Sequence, residues 1–152
     1  METPEPLLAE HSFFHGLPPG DLRFIAACAK NVSFKAGEII FREGEEADQF
    51  YLIRQGKVSI EVATPRGPAQ IQTIGAGDAL GWSWLIPPYR WRFDARVIEP
   101  TLAFALDGRC LRGKCDDEPR LGYELLKRIA AIITERLRAT RLQMLDVYGA
   151  RE

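Results

Sequence analysis

Nowhere does this sequence hold a long apolar run. No stretch approaches the ~18 consecutive apolar residues that a membrane span needs, so no membrane partner is expected. A charge excess of one sign is missing too. The 20 basic residues stand against 21 acidic ones, which removes the overall field that a nucleic-acid or membrane binder would use. The first ten residues include three acidic ones and lack the basic start and apolar stretch of a secretory signal; a cytoplasmic protein is expected. Cysteine is scarce. Cys28, Cys110 and Cys115 leave at least one thiol unpaired, which suits a reducing compartment better than a disulfide framework. Cys110 and Cys115 have C-x4-C spacing but no second pair nearby to complete a tetrahedral metal site. The two histidines, His11 and His15, sit four apart without a carboxylate placed to join them, and read as surface or packing residues. No nucleophile–base arrangement stands out, and Asp116 and Asp117 fall in a polar loop. No enzymatic activity and no metal are therefore expected.

What is present amounts to one domain: 152 residues, 46% of them apolar, are enough to bury a core without staples. After Asp21, the helical spacing of Leu22, Ile25, Ala26 and Ala29 predicts a short helix ending near Lys30 or Asn31. It closes an N-terminal helical segment, 1–31. From Val32 the period changes. Val32/Phe34, Ile39/Phe41, Phe50/Leu52, Val58/Ile60/Val62 and Ile71/Ile74 supply inward positions of short strands separated by Gly, Pro and acidic turns, the pattern of an all-β roll or barrel. Residues 43–48 read as a solvated acidic turn. Val97 to Leu106 reads as a last strand with a turn at Pro100, closing a β-roll over 32–107.

Pro119 suits a helix start, where its missing N–H costs nothing. From there a long helix is expected over 119–148. Leu126, Ile129, Ile133, Leu137, Thr140, Met144 and Val147 trace one stripe along it, and Leu121, Leu125 and Ile132 add a second apolar edge. Two edges need two surfaces. The first half is expected to cover the roll and the second to meet a partner helix, with Ile133, Leu137, Thr140, Met144 and Val147 in the seam of a homodimer. A single helix folded wholly over its own domain is the competing expectation.

The stretch Gly77–Arg96, GDALGWSWLIPPYRWRFDAR, mixes aromatics and arginines with two glycines and two prolines. That composition suits a short helical turn and loop held against a scaffold, as binding sites often are.

At Gly37 the spacing becomes specific. KAGEIIFREGEEADQFYLIRQGKVSI resembles the signature of the cyclic-nucleotide-binding domain, the β-roll of the catabolite-activator and oxygen-responsive regulators, of protein-kinase regulatory subunits and of gated channels. Gly37, Phe41, Gly44, Phe50, Tyr51, Ile53, Gly56, Val58, Gly77, Asp78 and Gly81 fall on the pattern. The resemblance covers nearly the whole chain. It implies a mainly β fold with flanking helices, a double-stranded β-helix or jelly-roll, followed by the long helix, with residues 77–96 as the phosphate-binding cassette.

In that family the cassette reads approximately G-E-L-x-x-L, then R-S/T-A. Backbone N–H groups and the Arg hold the cyclic phosphate, and the Glu takes the ribose hydroxyl. Here Gly81 and Leu85 keep their positions, but Trp82 stands where the Glu belongs and has only a donor to offer. Counting forward from Gly81 puts Arg92 on the family's Arg; counting back from Arg96 and Glu99 puts Trp91 there. Either way R-S/T-A is broken. The candidate ligand residues are Gly81, Trp82, Ser83, Trp84, Arg90 and Arg92. The family's helix contact to the base adds Thr140 and Arg141, although packing explains Thr140 as well.

The transcription-factor members place a helix-turn-helix after the long helix. This sequence has none, and the basic residues of the final helix read as a solvated face, so a stand-alone domain without direct DNA contact is expected. Two functions remain. One is a sensor for an altered nucleotide or small anion, with loss of conventional cyclic AMP binding, signalling through the long helix. The other is a module plugged by its own rings, kept as a regulatory or interaction subunit of a protein partner.

Overall fold

A computed structural model describes the backbone of residues 5–149 and the side chains of residues 7–142. The chain runs through α1 (Glu5–Leu8), a 3-10 turn (Ser12–Phe14), α2 (Pro19–Ala26), β1 (Ala29–Phe34), β2 (Ile39–Phe41), β3 (Gln49–Thr64), β4 (Gly67–Gly75), β5 (Ala79–Leu80), β6 (Asp94–Asp107), α3 (Gly108–Asp117) and α4 (Pro119–Gly149). All pairings among the named strands are antiparallel, in the order β1-β6-β3-β4, with β2 on β6 and β5 on β3. The mainly β fold with flanking helices and a long C-terminal helix is the one expected. No described helix is long and apolar enough to cross a membrane.

Two long strands hold the sheet together. β3 and β6 pair along most of their lengths, with register shifts between Ile53 and Val58. Such irregularities let a strand bend and turn the sheet on itself. Gly56 sits in this bend at φ 110°, and a Cβ there would overlap Thr101 Oγ1. The close approach therefore demands glycine.

Alternation along β3 and β6 divides the interior in two. Phe50, Leu52, Phe104 and Leu106 face the helices, where they meet Phe13, Phe14, Ile25, Trp84, Leu111, Leu121, Leu125 and Ile129. Ile53 and Ala103 turn the other way, into the roll, with Val58, Ile60, Phe41, Trp91 and Phe93. Phe50 and Leu52 thus belong to the helix side, whereas a single inward set was expected. Ile39 is exposed.

Four local expectations are corrected. α2 ends at Ala26 and the strand starts at Ala29, because Ala29 to Phe34 find partners on β6; that pairing outweighs the local helical spacing. β6 runs through Pro100 and absorbs it beside the register shift. The segment holding Asp116 and Asp117 is helix α3, started by Asp107, whose carboxylate accepts from Cys110 N. Most consequential, Cys28 and Cys110 form a disulfide with Cα atoms 5.7 Å apart, joining the end of α2 to the first turn of α3. Cys115 stays free. The cysteines therefore give no ground for a reducing compartment; the two partners are 82 residues apart in sequence, a proximity that only the fold creates.

The long helix begins at Pro119 as expected. Leu121, Leu125 and Ile129 bury one edge against the helix-side core, while Leu126, Leu137 and Leu142 are exposed. His11 is buried; its Nε2 donates to Ile53 O at 2.9 Å and its Nδ1 accepts from Phe13 N at 3.1 Å. His15 is exposed. Among the described residues no group of acidic, His and Cys side chains could hold a metal ion.

Candidate functional site

The cassette stretch is fastened at three points. Its entry is a turn in which Asp78 Oδ2 accepts from Gly75 N at 2.8 Å, while Gly77 N donates to Ile53 O at 2.9 Å. Its middle is the turn from Trp82 to Leu85, closed by Leu85 N to Trp82 O at 3.1 Å. Arg112 of α3 donates to Trp84 O and lays its guanidinium over the Tyr89 ring, 4.1 Å from the centroid. The exit is tied to the acidic turn 43–48 through Ala47 N to Tyr89 O, Trp91 N to Glu45 O and Gly44 N to Trp91 O. That turn, read as merely solvated, is the cassette's clasp.

Gly81 opens the middle turn at φ 88°, and a Cβ on it would overlap the Trp91 ring. The indole lies against the bare glycine. It also stacks on Phe41, with centroids 3.7 Å apart and planes 5° from parallel. Phe93 packs 5.6 Å from both Phe41 and Trp82. Aromatic side chains bury large areas and dominate a core of this kind.

The other candidates are dispersed. Trp82 is half-buried and touches both cores. Ser83 is buried, and Trp84 is completely buried in the helix-side core, so the cassette's rings divide between two interiors. Alternation drives the split: rings two apart share a face in a strand, but the turn at 82–85 breaks that period. Arg92 is exposed. Arg90 is exposed too and reaches Gly44 O at 3.5 Å. Asp94 Oδ1 accepts from Glu43 N at 2.7 Å. On α4, the Thr140 hydroxyl donates to Arg136 O at 2.9 Å, and Arg141 is exposed. Ile133 packs partly on the helix-side core, and Leu137 is 60% exposed. The side chains of Met144 and Val147 lie outside the described residues.

Arg96, used to anchor the cassette's far end, donates to Glu61 Oε2 at 2.6 and 3.1 Å, and the Ser59 hydroxyl donates to the same oxygen at 2.8 Å. These bonds, Arg96's first, hold the Glu61 carboxyl below its usual range against the opposing effect of burial.

Arg136 is the residue that sequence reasoning missed. Grouped with a solvated basic face, it is in fact only 9% exposed. It follows Ile129 by seven and Ile132 by four, which places it on the edge turned toward the domain; that spacing was the available signal. Its Nη2 donates to Ala79 O, and its Cζ lies 4.9 Å over the Trp82 ring. Burial pulls its pKa down to about 10, with Asp78 acting the other way. Beside it a cavity of about 320 Å³ opens between α4 and the turn leading into β5, lined also by Ser12, Phe13, Gln72, Ile74, Arg128, Ala131 and Ile132.

Comparison with known proteins agrees with this architecture. The profile described as "Cyclic nucleotide-binding domain" matches residues 31–118. A CRP-like cAMP-activated global transcriptional regulator of Mycobacterium tuberculosis is 30% identical over 142 residues, 93% of this chain; the chain spans only 62% of that regulator's length. A crystal structure of a candidate cyclic nucleotide-binding protein from Geobacter metallireducens superposes with TM-score 0.80 at 30% identity, covering 90% of this chain and 99% of that one. A cyclic nucleotide-binding domain from Methylobacillus flagellatus shares the fold with TM-score 0.78 at 21% identity, over 93% of this chain and 80% of the other. With the roll, the clasped cassette and the long helix in place, the chain belongs to the cyclic nucleotide-binding domain family.

Proposed function

We propose that this is a non-enzymatic sensor domain that has lost conventional cyclic AMP binding, responds to an altered nucleotide or small anionic ligand, and signals through a paired α4. The observation that carries this reading is the Trp91 ring against Gly81. In the family that glycine begins the anion-binding turn; here the space behind it holds an indole stacked on Phe41. Trp82, which can only donate, stands in the position of the family's ribose acceptor, and Arg92 is exposed rather than turned inward. Signalling requires the ligand to favour one arrangement of the helix over another. α4 supports that role by packing one edge on the helix-side core and leaving Leu126, Leu137 and Leu142 exposed for a second copy.

Titration of the purified chain with cyclic AMP and cyclic GMP, followed by tryptophan fluorescence and melting, tests the reading. No saturable micromolar binding is expected. A ligand at 100 times its Kd stabilises by roughly 2.7 kcal/mol, so micromolar saturation with a matching rise in Tm would overturn it. For the pairing, Leu137→Glu is expected to sediment as a monomer where the parent sediments as a dimer; an unchanged coefficient removes the seam.

A second reading draws on the same stack. If Trp82, Trp91 and Phe93 serve only as filling, the domain is a ligand-free regulatory or interaction subunit of a protein partner, and neither nucleotides nor small anions will bind.

A further inference from the structure

The first turn of α3 holds several parts of the molecule at once. Gly108 N donates to Asp48 O at 2.8 Å, at the end of the acidic clasp. Arg109 Nη2 meets Glu46 Oε1 within the clasp at 3.0 Å. Cys110 is bonded to Cys28, just beyond α2. Leu111 is buried in the helix-side core, and Arg112 donates to Trp84 O and lies 4.1 Å over the Tyr89 ring. Cys110 and Arg112 stand about 200° apart around the helix, so the disulfide and the cassette contact opposite faces of one turn.

The cassette end of this linkage carries strain. Tyr89 has φ 58°, a left-handed backbone that a residue with a Cβ adopts at a cost. It is kept there by Ala47 N donating to Tyr89 O at 2.7 Å, by its own N–H donating to Ile86 O at 2.9 Å, and by the Arg112 guanidinium on its ring. Ala47 belongs to the clasp that Arg109 fastens, and Arg112 to α3 itself. The hold on Tyr89 therefore depends on where α3 sits.

Cys28 is only 8% exposed whereas Cys110 is half-buried, so an incoming thiolate approaches from the Cys110 side. We propose that Cys28–Cys110 is a redox switch for the cassette: the bond holds α3 against α2 and keeps the strained exit clasped, and its reduction by a dithiol releases the exit together with the Trp91 ring. In the first step a thiolate of the dithiol attacks Cys110 Sγ, forming a mixed disulfide while the protein's S–S bond breaks and Cys28 leaves as thiolate. The second thiol then attacks its partner sulfur in the mixed disulfide, closing the oxidised cyclic reagent and freeing Cys110. Two electrons pass from dithiol to protein, and its two protons finish on Cys28 and Cys110. Cys115, partly buried against the helix-side core, takes no part. This inference goes beyond the sensor reading and does not depend on it, because it concerns how the cassette is held rather than what binds there.

The test measures amide hydrogen exchange of the full chain with and without a dithiol, in the absence of nucleotide, and counts free thiols alongside. On reduction the amides of Gly44, Ala47 and Trp91, which join clasp to cassette, are expected to exchange about tenfold faster or more. Those pairing β3 with β4 should keep their rates, and oxidised glutathione should restore the slow ones. Cys28→Ser should exchange fast at the clasp with or without dithiol; chemical reduction of the parent carries the test alone if that variant fails to fold. Cys115→Ser should respond as the parent does. Arg112→Met should blunt the clasp response although the thiol count shows the bond reduced. A bond that resists the dithiol in the folded chain, clasp rates unchanged once it is cut, β3–β4 rates that rise as much as the clasp's, or a response lost in Cys115→Ser would each overturn the switch. Cyclic AMP binding, which decides the sensor reading, alters none of these outcomes.

Discussion

The two interiors of this domain share two strands and differ in what fills them. On the helix side, Trp84 is completely buried among residues from α1, α2, β3, β6, α3 and α4, and Cys28–Cys110 ties α2 to α3. Every large side chain there joins one element to another. On the roll side, Trp91 and Phe93 come from the cassette's own exit and stack on Phe41. Trp91 also fills the place against Gly81. The first core makes the fold. The second packs against Gly81, the glycine from which the proposed loss of cyclic AMP binding is argued.

Truncating one tryptophan on each side gives the sharpest contrast. Trp84→Ala and Trp91→Ala should each cost about 3–5 kcal/mol by the usual large-to-small rule, read as a shift in the urea midpoint. Their consequences for ligands should diverge. Trp91→Ala opens space against Gly81 and is expected to gain measurable affinity for cyclic nucleotides or an indole-sized filler such as indole itself. Trp84→Ala opens space only toward the helices and should gain no affinity for cyclic nucleotides. Equal nucleotide affinity in the two variants would break the distinction between the cores.

Gly81→Ala should come next, at about 2–5 kcal/mol: the methyl meets the Trp91 ring, worth about 1–3 kcal/mol of overpacking, in a left-handed backbone worth about 1–2 more. The same change in a Trp91→Ala background should lose the overpacking part and retain the backbone part. Urea melts of the double-mutant cycle read that coupling. Strict additivity would mean that the indole does not lie on the glycine.

How much of this was visible in the sequence follows the range of each interaction. Gly37, Gly44 and Gly77 punctuate the turns locally, so the roll could be read from spacing; the start of α4 could be read from Pro119. Trp82 in place of an acceptor was equally plain. What spacing could not show was which rings share an interior, because the turn at 82–85 breaks the period that would have grouped Trp82 with Trp84. Nor could it show the pairing of Cys28 with Cys110, or that the acidic turn clasps the cassette. Arg136 was hidden by its chemistry. An arginine on a helix is usually solvated, and only the packing of Ile129 and Ile132 against the domain turns the residue inward.

The smallest expected effect concerns the seam between the interiors, where His11 fastens the N-terminal turn to Ile53 of β3. Burial, opposed by the bond to Ile53 and the field of Asp78, lowers the His11 pKa below its ordinary 6.5. The unfolded chain therefore takes up the proton first as pH falls. The stability tied to neutral His11 is complete above the unfolded value, declines below about 6.5 and is lost as pH falls through the folded pKa. Nδ1 is already an acceptor for Phe13 N, so the added proton must displace that bond as well. Thermal melts should be level between pH 8 and 7, then fall by about 2–4 °C toward pH 5.5. The Glu61 carboxyl, held below its ordinary 4.5 by Arg96, titrates at lower pH and leaves this window clear. His11→Gln should flatten the slope, while exposed His15→Gln should not. An unaltered slope in the His11 variant would mean that the junction between the two cores is indifferent to that imidazole.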